Sequence, residues 1–445
     1  MKVFLVSLGC DKNLVDSEVM LGQVQDLGYE IVQDEMEADA IIVNTCAFIH
    51  DAKEESIETI LDMAKYKEIG NCKSLIVAGC LSERYKQELA IELPEVDGII
   101  GASNYDDLPS VLERTLAGTH TEVFKSIDHE PNTYIKRTIS STTAYGYLKV
   151  AEGCDNHCTY CIIPSLRGKY RSRDMASLIE EANYLVDNGK TELILVAQDV
   201  AKYGMDIYNE RKLPELLRAL CKIEGLKWVR LLYCYPEDIT DKLIEVMQTE
   251  AKILNYIDMP LQHINDNILK QMARVSRKAS IIEVINKLRD KMPDICIRTT
   301  FIVGFPGETE AQYAELKTFI MDYTLDRVGI FTYSMEEGTA AAKMPGQIDH
   351  KIMTARRDEL MLIQQEIAFK KSDNMIGLEL DIIIEGYLPD EEVYIGRCYK
   401  DAPSVDGFVF VTCPFELMLG QIVPVSITET NGYDLIGEIS DESSK

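Results

Sequence analysis

The chain predicts an α/β fold: an N-terminal doubly wound parallel sheet, a central partial (β/α) barrel and a C-terminal small antiparallel β-barrel. Three observations lead there. Short apolar runs alternate with helix-period stretches over residues 1–120 and again over 146–375. A polar stretch without sustained period, 121–145, lies between them and reads as a linker. From residue 376 to 445 the pattern changes to short strands of period two, as in small closed barrels.

Composition sets the bounds. At 445 residues and 46% hydrophobic content there is core enough for two or three domains. No apolar run approaches the roughly 18 residues of a membrane span, so no membrane partner is expected. The opening run Met1–Cys10 is too short for an export signal, and Asp11-Lys12-Asn13 follows at once. It reads as a strand. Twelve cysteines without such a signal then point to the reducing cytoplasm. The net charge of −28 suits a basic protein partner better than a nucleic acid, although solubility alone would also explain it.

In the first part, strands are expected at Lys2–Ser7, Ala40–Val43 and Ser74–Ala78, with helices at Asp16–Leu27, Ala52–Tyr66 and Leu108–Leu116. Each strand runs into a cysteine: Cys10, Cys46 and Cys80. Ligands of open parallel sheets collect outside the carboxyl ends of the strands, so these thiols should converge. One cysteine alone reads as a small core residue. Three at equivalent strand ends point to an iron–sulfur cluster, and Gly9 and Gly79 would permit the sharp turns beside it. Cys72, Cys221, Cys234, Cys296, Cys398 and Cys413 show no grouping and read as structural.

In the second part, a strand-like run Tyr147–Ala151 leads into Cys154-x3-Cys158-x2-Cys161, three cysteines inside eight residues. Three thiolates so spaced can each hold one iron of a 4Fe–4S cluster, leaving the fourth iron open to a small molecule. Zinc is the rival, but structural zinc wants four ligands, and only His157 stands close by. The basic run Arg167–Arg173 could meet a carboxylate ligand, a cluster sulfide or an acidic substrate segment, or be a solvated loop. Ser177-Leu-Ile-Glu180 reads as a capping box for a helix that stops at Asn188-Gly189. Strands are expected at Glu192–Ala197, Trp228–Leu232, Tyr256–Met259, Ile297–Val303 and Arg327–Tyr333. That makes about six βα units, short of the eight of a closed barrel. Gln198, Tyr235, Gln262, His263, Gly304 and Gly307 fall at strand ends. His263 reads equally as a core or a catalytic residue. The two glycines read equally as a plain turn or as backbone approaching a nucleoside.

In the third part, strands are expected at Glu379–Glu385, Glu392–Arg397, Gly407–Thr412, Ile422–Thr428 and Asp434–Ile439. Asp406-Gly407 and Asn431-Gly432 read as hairpin turns. The pattern suggests a barrel of oligonucleotide-binding type. Its 14 acidic against 3 basic residues, a net of −11, would repel phosphate.

The cysteine spacing, with Tyr160 before the last cysteine, resembles the radical S-adenosylmethionine (SAM) superfamily. Over its full length the chain resembles the radical SAM methylthiotransferases, which carry an N-terminal methylthiotransferase domain, a radical SAM domain and a TRAM barrel. Ser7–Glu18, Asn44–Ile49, Arg298–Glu308 and Asp401–Gly407 resemble the RimO type, which modifies an aspartate of ribosomal protein S-twelve. The tRNA-modifying branch usually carries Gly-Cys-Gln-x-Asn at the first cysteine, where this chain has Asp11-Lys12.

The resemblance implies that Cys154, Cys158 and Cys161 hold the SAM-cleaving 4Fe–4S cluster. It also implies that Cys10, Cys46 and Cys80 hold an auxiliary 4Fe–4S cluster. A methyl group from one SAM would pass to sulfur at the auxiliary cluster. A second SAM would give the radical that removes hydrogen from the aspartate β-carbon, which then takes the methylthio group. Gln198 is the candidate SAM contact, and no catalytic residue beyond the cluster ligands is needed. The partners implied are S-twelve or the small ribosomal subunit, with a reductant and a sulfur donor, and a monomer is expected. Three rivals stand: a tRNA adenosine methylthiotransferase, against which the acidic barrel argues; an electron-transfer iron–sulfur protein; and a zinc-containing ribosome-binding module.

Overall fold

The computed structural model describes residues 1–131, 137–140 and 143–439. Parts of the stretch read as a linker, 132–136 and 141–142, lie outside the described residues, as do 440–445.

The first sheet is parallel throughout. Its strands are β1 (Lys2–Ser7), β2 (Glu30–Ile31), β3 (Ala40–Thr45), β4 (Ser74–Gly79), β5 (Gly98–Gly101) and β6 (Thr121–Val123), in the order β2-β1-β3-β4-β5-β6. Every residue of β3 and β4 is buried, as a sheet covered on both faces requires. The winding reverses between β1 and β3, and that switch point is where such sheets bind ligands. Helices run at Asp11–Asp26, His50–Ala64 and Leu108–Leu116. The first begins five residues before the expected Asp16, directly behind Cys10. β6 falls inside the polar stretch 121–145; at three residues it is too short to show a period.

The central region holds β7 (Tyr145–Lys149), β8 (Ala151–Glu152), β9 (Arg171–Ser172), β10 (Glu192–Val196), β11 (Trp228–Leu231), β12 (Ile253–Asp258), β13 (Cys296–Val303) and β14 (Arg327–Thr332). Six of these form an open parallel sheet in the order β7-β10-β11-β12-β13-β14, the partial barrel expected. β8 and β9 pair separately and flank the cysteine loop. Alternate residues split between two faces. Leu193, Leu195, Val229, Leu231 and Ile297 pack under the helices, while Ile194, Val196, Trp228 and Tyr256 face inward. The helix Met175–Asp187 does not use the Ser177 box. It starts two residues earlier, where the Asp174 carboxylate accepts from the amides of Ala176 and Ser177.

The last strands are β15 (Glu379–Leu388), β16 (Val393–Arg397), β17 (Val409–Thr412), β18 (Ile422–Asn431) and β19 (Asp434–Glu438), closed in the order β15-β16-β17-β19-β18. Asn431 pairs with Asp434 across a tight hairpin, as expected. Asp406-Gly407 is not a hairpin turn. It lies in the longer crossing from β16 to β17, where Asp406 accepts from the Tyr256 hydroxyl at 2.9 Å and the Ala402 amide at 2.9 Å. Tertiary partners, not a local turn, therefore set its conformation. Deeper in the same junction Glu192 lies between Arg230, at 2.7 Å, and Arg397, at 2.6 Å. All three are fully buried, and Arg397 also pairs with Glu385 of β15 at 2.6 Å. The barrel is thus pinned to the inner face of the central sheet.

Candidate active site

Cys10 lies three residues beyond β1, Cys46 directly after β3, and Cys80 directly after β4 at the start of the helix Cys80–Glu92. Side-chain amides stitch these strand ends together. Asn13 donates to the Leu8 carbonyl at 3.0 Å and the Thr45 carbonyl at 2.9 Å, and Asn44 donates to the Asn13 carbonyl at 2.9 Å. Gly79 adopts φ +96°, and a Cβ there would lie 2.4 Å from Asn44 Oδ1 and 2.6 Å from the Thr45 carbonyl. The three thiols feel one another's charge. Burial, and then the neighbouring Cys80, pushes the Cys46 thiol up to about 11.

The second set follows β8. Gly153 turns with φ +76°, in a place where a Cβ would lie 2.0 Å from the Lys169 carbonyl. Thr159 anchors the loop, its amide to the Met272 carbonyl at 3.1 Å and its hydroxyl to the Gln271 carbonyl at 2.8 Å. Burial pushes Cys154 up to about 11 and Cys161 up to about 12, with Cys158 adding to both. The thiols of Cys154 and Cys161 are therefore protonated at neutral pH until a metal takes them.

The donor sets test what each could hold. Among the described residues, only His50, Asp51 and Glu54 bring three His, Cys, Asp or Glu ligand atoms within 4.8 Å of one another. Thiolates on one zinc, each about 2.3 Å from it, would fall inside that distance. Neither cysteine set closes round a single ion. Three thiols spread more widely suit a polynuclear cluster with one open iron.

A polar network joins the two sets. Burial pushes the Cys80 thiol up, and the positive charge of Arg167, in the short helix after Cys161, works against it. The Arg167 guanidinium also reaches Asn13, Asp16 at 2.7 Å and Glu152 at 3.1 Å. Lys149 pairs with Asp16 and lies 3.0 Å from Glu152. Burial alone would raise the Glu152 pKa, but Lys149 and Arg167 outweigh it and hold the carboxyl well below the usual range. The other two arginines of the basic run are spent on internal pairs, Arg171 with Asp128 at 3.3 Å and Arg173 with Glu181 at 2.5 Å, and Lys169 is exposed.

Gln198, just beyond β10, donates to Glu152 Oε1 at 2.8 Å, while its own buried Oε1 has no partner. Its neighbour Asp199 is fully buried with both carboxylate oxygens unpartnered, a feature no sequence pattern marks. Burial and then Asp238 raise its pKa. Arg274 sets its guanidinium 4.1 Å over the Tyr235 ring, close to Cys158. Its place here depends on tertiary folding, so sequence reading missed it too. His263 is a core residue: its Nδ1 accepts from the Asn265 amide at 2.9 Å, and its Nε2 meets Glu308 at 3.0 Å. Gly304 packs against Met353 in a turn.

Comparison with known proteins agrees with this architecture. Residues 2–101 match a family described as the uncharacterized protein family UPF0004, 148–320 the radical SAM superfamily, and 376–439 the TRAM domain. The ribosomal protein uS12 methylthiotransferase RimO of Lachnoclostridium phytofermentans is 52% identical over 437 residues, covering 98% of this chain and 99% of the relative. That of Clostridium kluyveri is 48% identical, covering 100% and 99%. The chain belongs to the RimO family. RimO-family proteins are radical SAM methylthiotransferases, and radical SAM membership brings a 4Fe–4S cluster and SAM with it. Solved structures share the fold. The radical SAM methyltransferase TsrM of Kitasatospora setae aligns with TM-score 0.57 at 12% identity, over 85% of this chain and 80% of its own. OxsB, a cobalamin-dependent radical SAM enzyme, aligns with TM-score 0.50 at 11% identity, over 82% and 56%. Among the described residues, no helix is long and apolar enough to cross a membrane.

Proposed function

We propose that this enzyme adds a methylthio group to the β-carbon of an aspartate of ribosomal protein uS12, using two 4Fe–4S clusters and two SAM per turnover. The observation that carries the reading is Arg167, which follows the Cys154–Cys161 loop and reaches Asn13 and Asp16 just behind Cys10, so that the two cysteine sets are tied together. Cys154, Cys158 and Cys161 would hold one cluster, and Cys10, Cys46 and Cys80 the other. When bound, the clusters and SAM supply the hydrogen-abstracting radical and the methylthio group.

The chain's own residues position and protect. Glu152 orients Gln198, whose free Oε1 is the candidate contact for SAM. The packing around Cys46, Cys80, Cys154 and Cys158 keeps water from them, while Cys10 stands exposed. The barrel's −11 charge favours a basic ribosomal protein, free or within the small subunit, and disfavours tRNA. The enzyme would act in the cytoplasm as a monomer, with separate reductant and sulfur-donor proteins.

The test is an anaerobic assay of reconstituted enzyme with reductant, sulfide and SAM, offered either uS12 or unmodified tRNA. Mass spectrometry reads the gain of one methylthio group. Gain on a uS12 aspartate supports the reading. Gain on tRNA, or 5′-deoxyadenosine release without gain on either, overturns the substrate.

A further inference from the structure

We infer that Lys12 receives the side-chain carboxylate of the target aspartate and so determines substrate specificity. This rests on the substrate reading above. Lys12 stands two residues after Cys10, in the first turn of the helix Asp11–Asp26. It is only 8% exposed, whereas Cys10 beside it is exposed. Its ammonium crosses from the N-terminal sheet to the central one and sits 3.5 Å over the ring of Tyr233, just beyond β11.

The ammonium is partnered on one side only. Asp11 Oδ1 lies 3.1 Å away and also accepts from the Tyr233 hydroxyl at 3.2 Å. An ammonium has three protons, and the aromatic face takes charge without taking a directed hydrogen bond. Asp11 Oδ2 is buried with no partner. The pair therefore offers a carboxylate receptor and an amide acceptor side by side. An aspartate in a peptide presents both matching groups, its side-chain carboxylate and its backbone N–H. The β-carbon is one bond from that carboxylate, so holding it at Lys12 sets the reacting carbon beside the Cys10 strand end. A neutral adenine base offers the ammonium ring-nitrogen acceptors but no negative charge.

The test is binding of cluster-loaded enzyme to uS12 and to uS12 with the target Asp→Asn, in wild type, Lys12→Met and Lys12→Arg. Iron content and melting temperature check each variant. Wild type should bind the asparagine form about tenfold or more weakly, the usual loss for a charge-assisted hydrogen bond. Lys12→Met should lose as much on the aspartate form and nothing further on the asparagine form, and Lys12→Arg should recover most of the loss. Equal losses on both forms, or no discrimination by wild type that still modifies uS12, would overturn the role of Lys12 alone. Failure of wild type to modify uS12 would overturn the substrate reading instead.

Discussion

Arg167 donates to the Asp16 carboxylate at 2.7 Å, and its positive charge also acts on the Cys80 thiol, although these residues come from distant parts of the chain. A fixed positive charge at a cluster ligand favours the reduced state, so it raises the reduction potential. Arg167→Gln should lower the potential of the proposed N-terminal cluster by about 60 mV, taking about a tenfold effect for the lost charge and 59 mV per tenfold for one electron. Arg167→Lys should retain most of the wild-type value. Potentiometric titration followed by electron paramagnetic resonance checks this, and an unmoved potential at full iron content would contradict it.

Replacing Cys154, Cys158 and Cys161 together with Ala should abolish SAM cleavage. About four irons should remain, on Cys10, Cys46 and Cys80. Iron analysis and 5′-deoxyadenosine assay decide it, and about eight irons in that variant would refute the ligand assignment.

Gly79→Ala places a methyl group 2.4 Å from Asn44 Oδ1 at a backbone angle of +96°. The strain should be about 1–3 kcal/mol. Only the N-terminal cradle is disturbed, so iron should fall toward one cluster while SAM cleavage persists. An unchanged melting temperature together with two full clusters would count against the tight fit.

Glu192 is the acid-sensitive joint. Burial would raise its pKa, but Arg397 and Arg230 outweigh that and hold the carboxyl below its ordinary value. A depressed folded-state pKa contributes stability above the unfolded value of about 4.3, and this is lost as pH falls through the folded value. Glu192→Gln leaves two buried guanidinium groups without their carboxylate and should cost about 3–5 kcal/mol at neutral pH. Thermal melts from about pH 3 to 7 should show the variant lower near neutrality and converging with wild type in acid. Parallel curves would show that protonation of Glu192 is not what costs the protein its stability in acid.

The strand-end cysteines were legible because each stands within three residues of an apolar run whose period is local. The open central sheet and the barrel were legible for the same reason. What escaped depends on distance along the chain. Arg167 showed only as part of a basic run, since its partners Asn13 and Asp16 come from a helix 151 to 154 residues earlier in the chain. Asp406 looked like a turn residue until Tyr256 claimed its carboxylate. Ser177 lost its cap to Asp174, a second acceptable cap three residues earlier, and its hydroxyl accepts from Arg173 at 3.3 Å instead. Lys12 and Asp11 read as a polar boundary after a strand, with nothing to announce Tyr233 opposite.

Arg230, Glu192 and Arg397 bolt the terminal barrel to the inner face of the central sheet. An acidic platform that does not swing works as a ruler. A partner gripped there meets the strand-end mouth at one set distance, and any reach must come from the partner. An aspartate on a protruding loop can bridge that gap, whereas one on a flat face stops short. Selection among many aspartates thereby becomes partly a question of how far each stands out from its own protein.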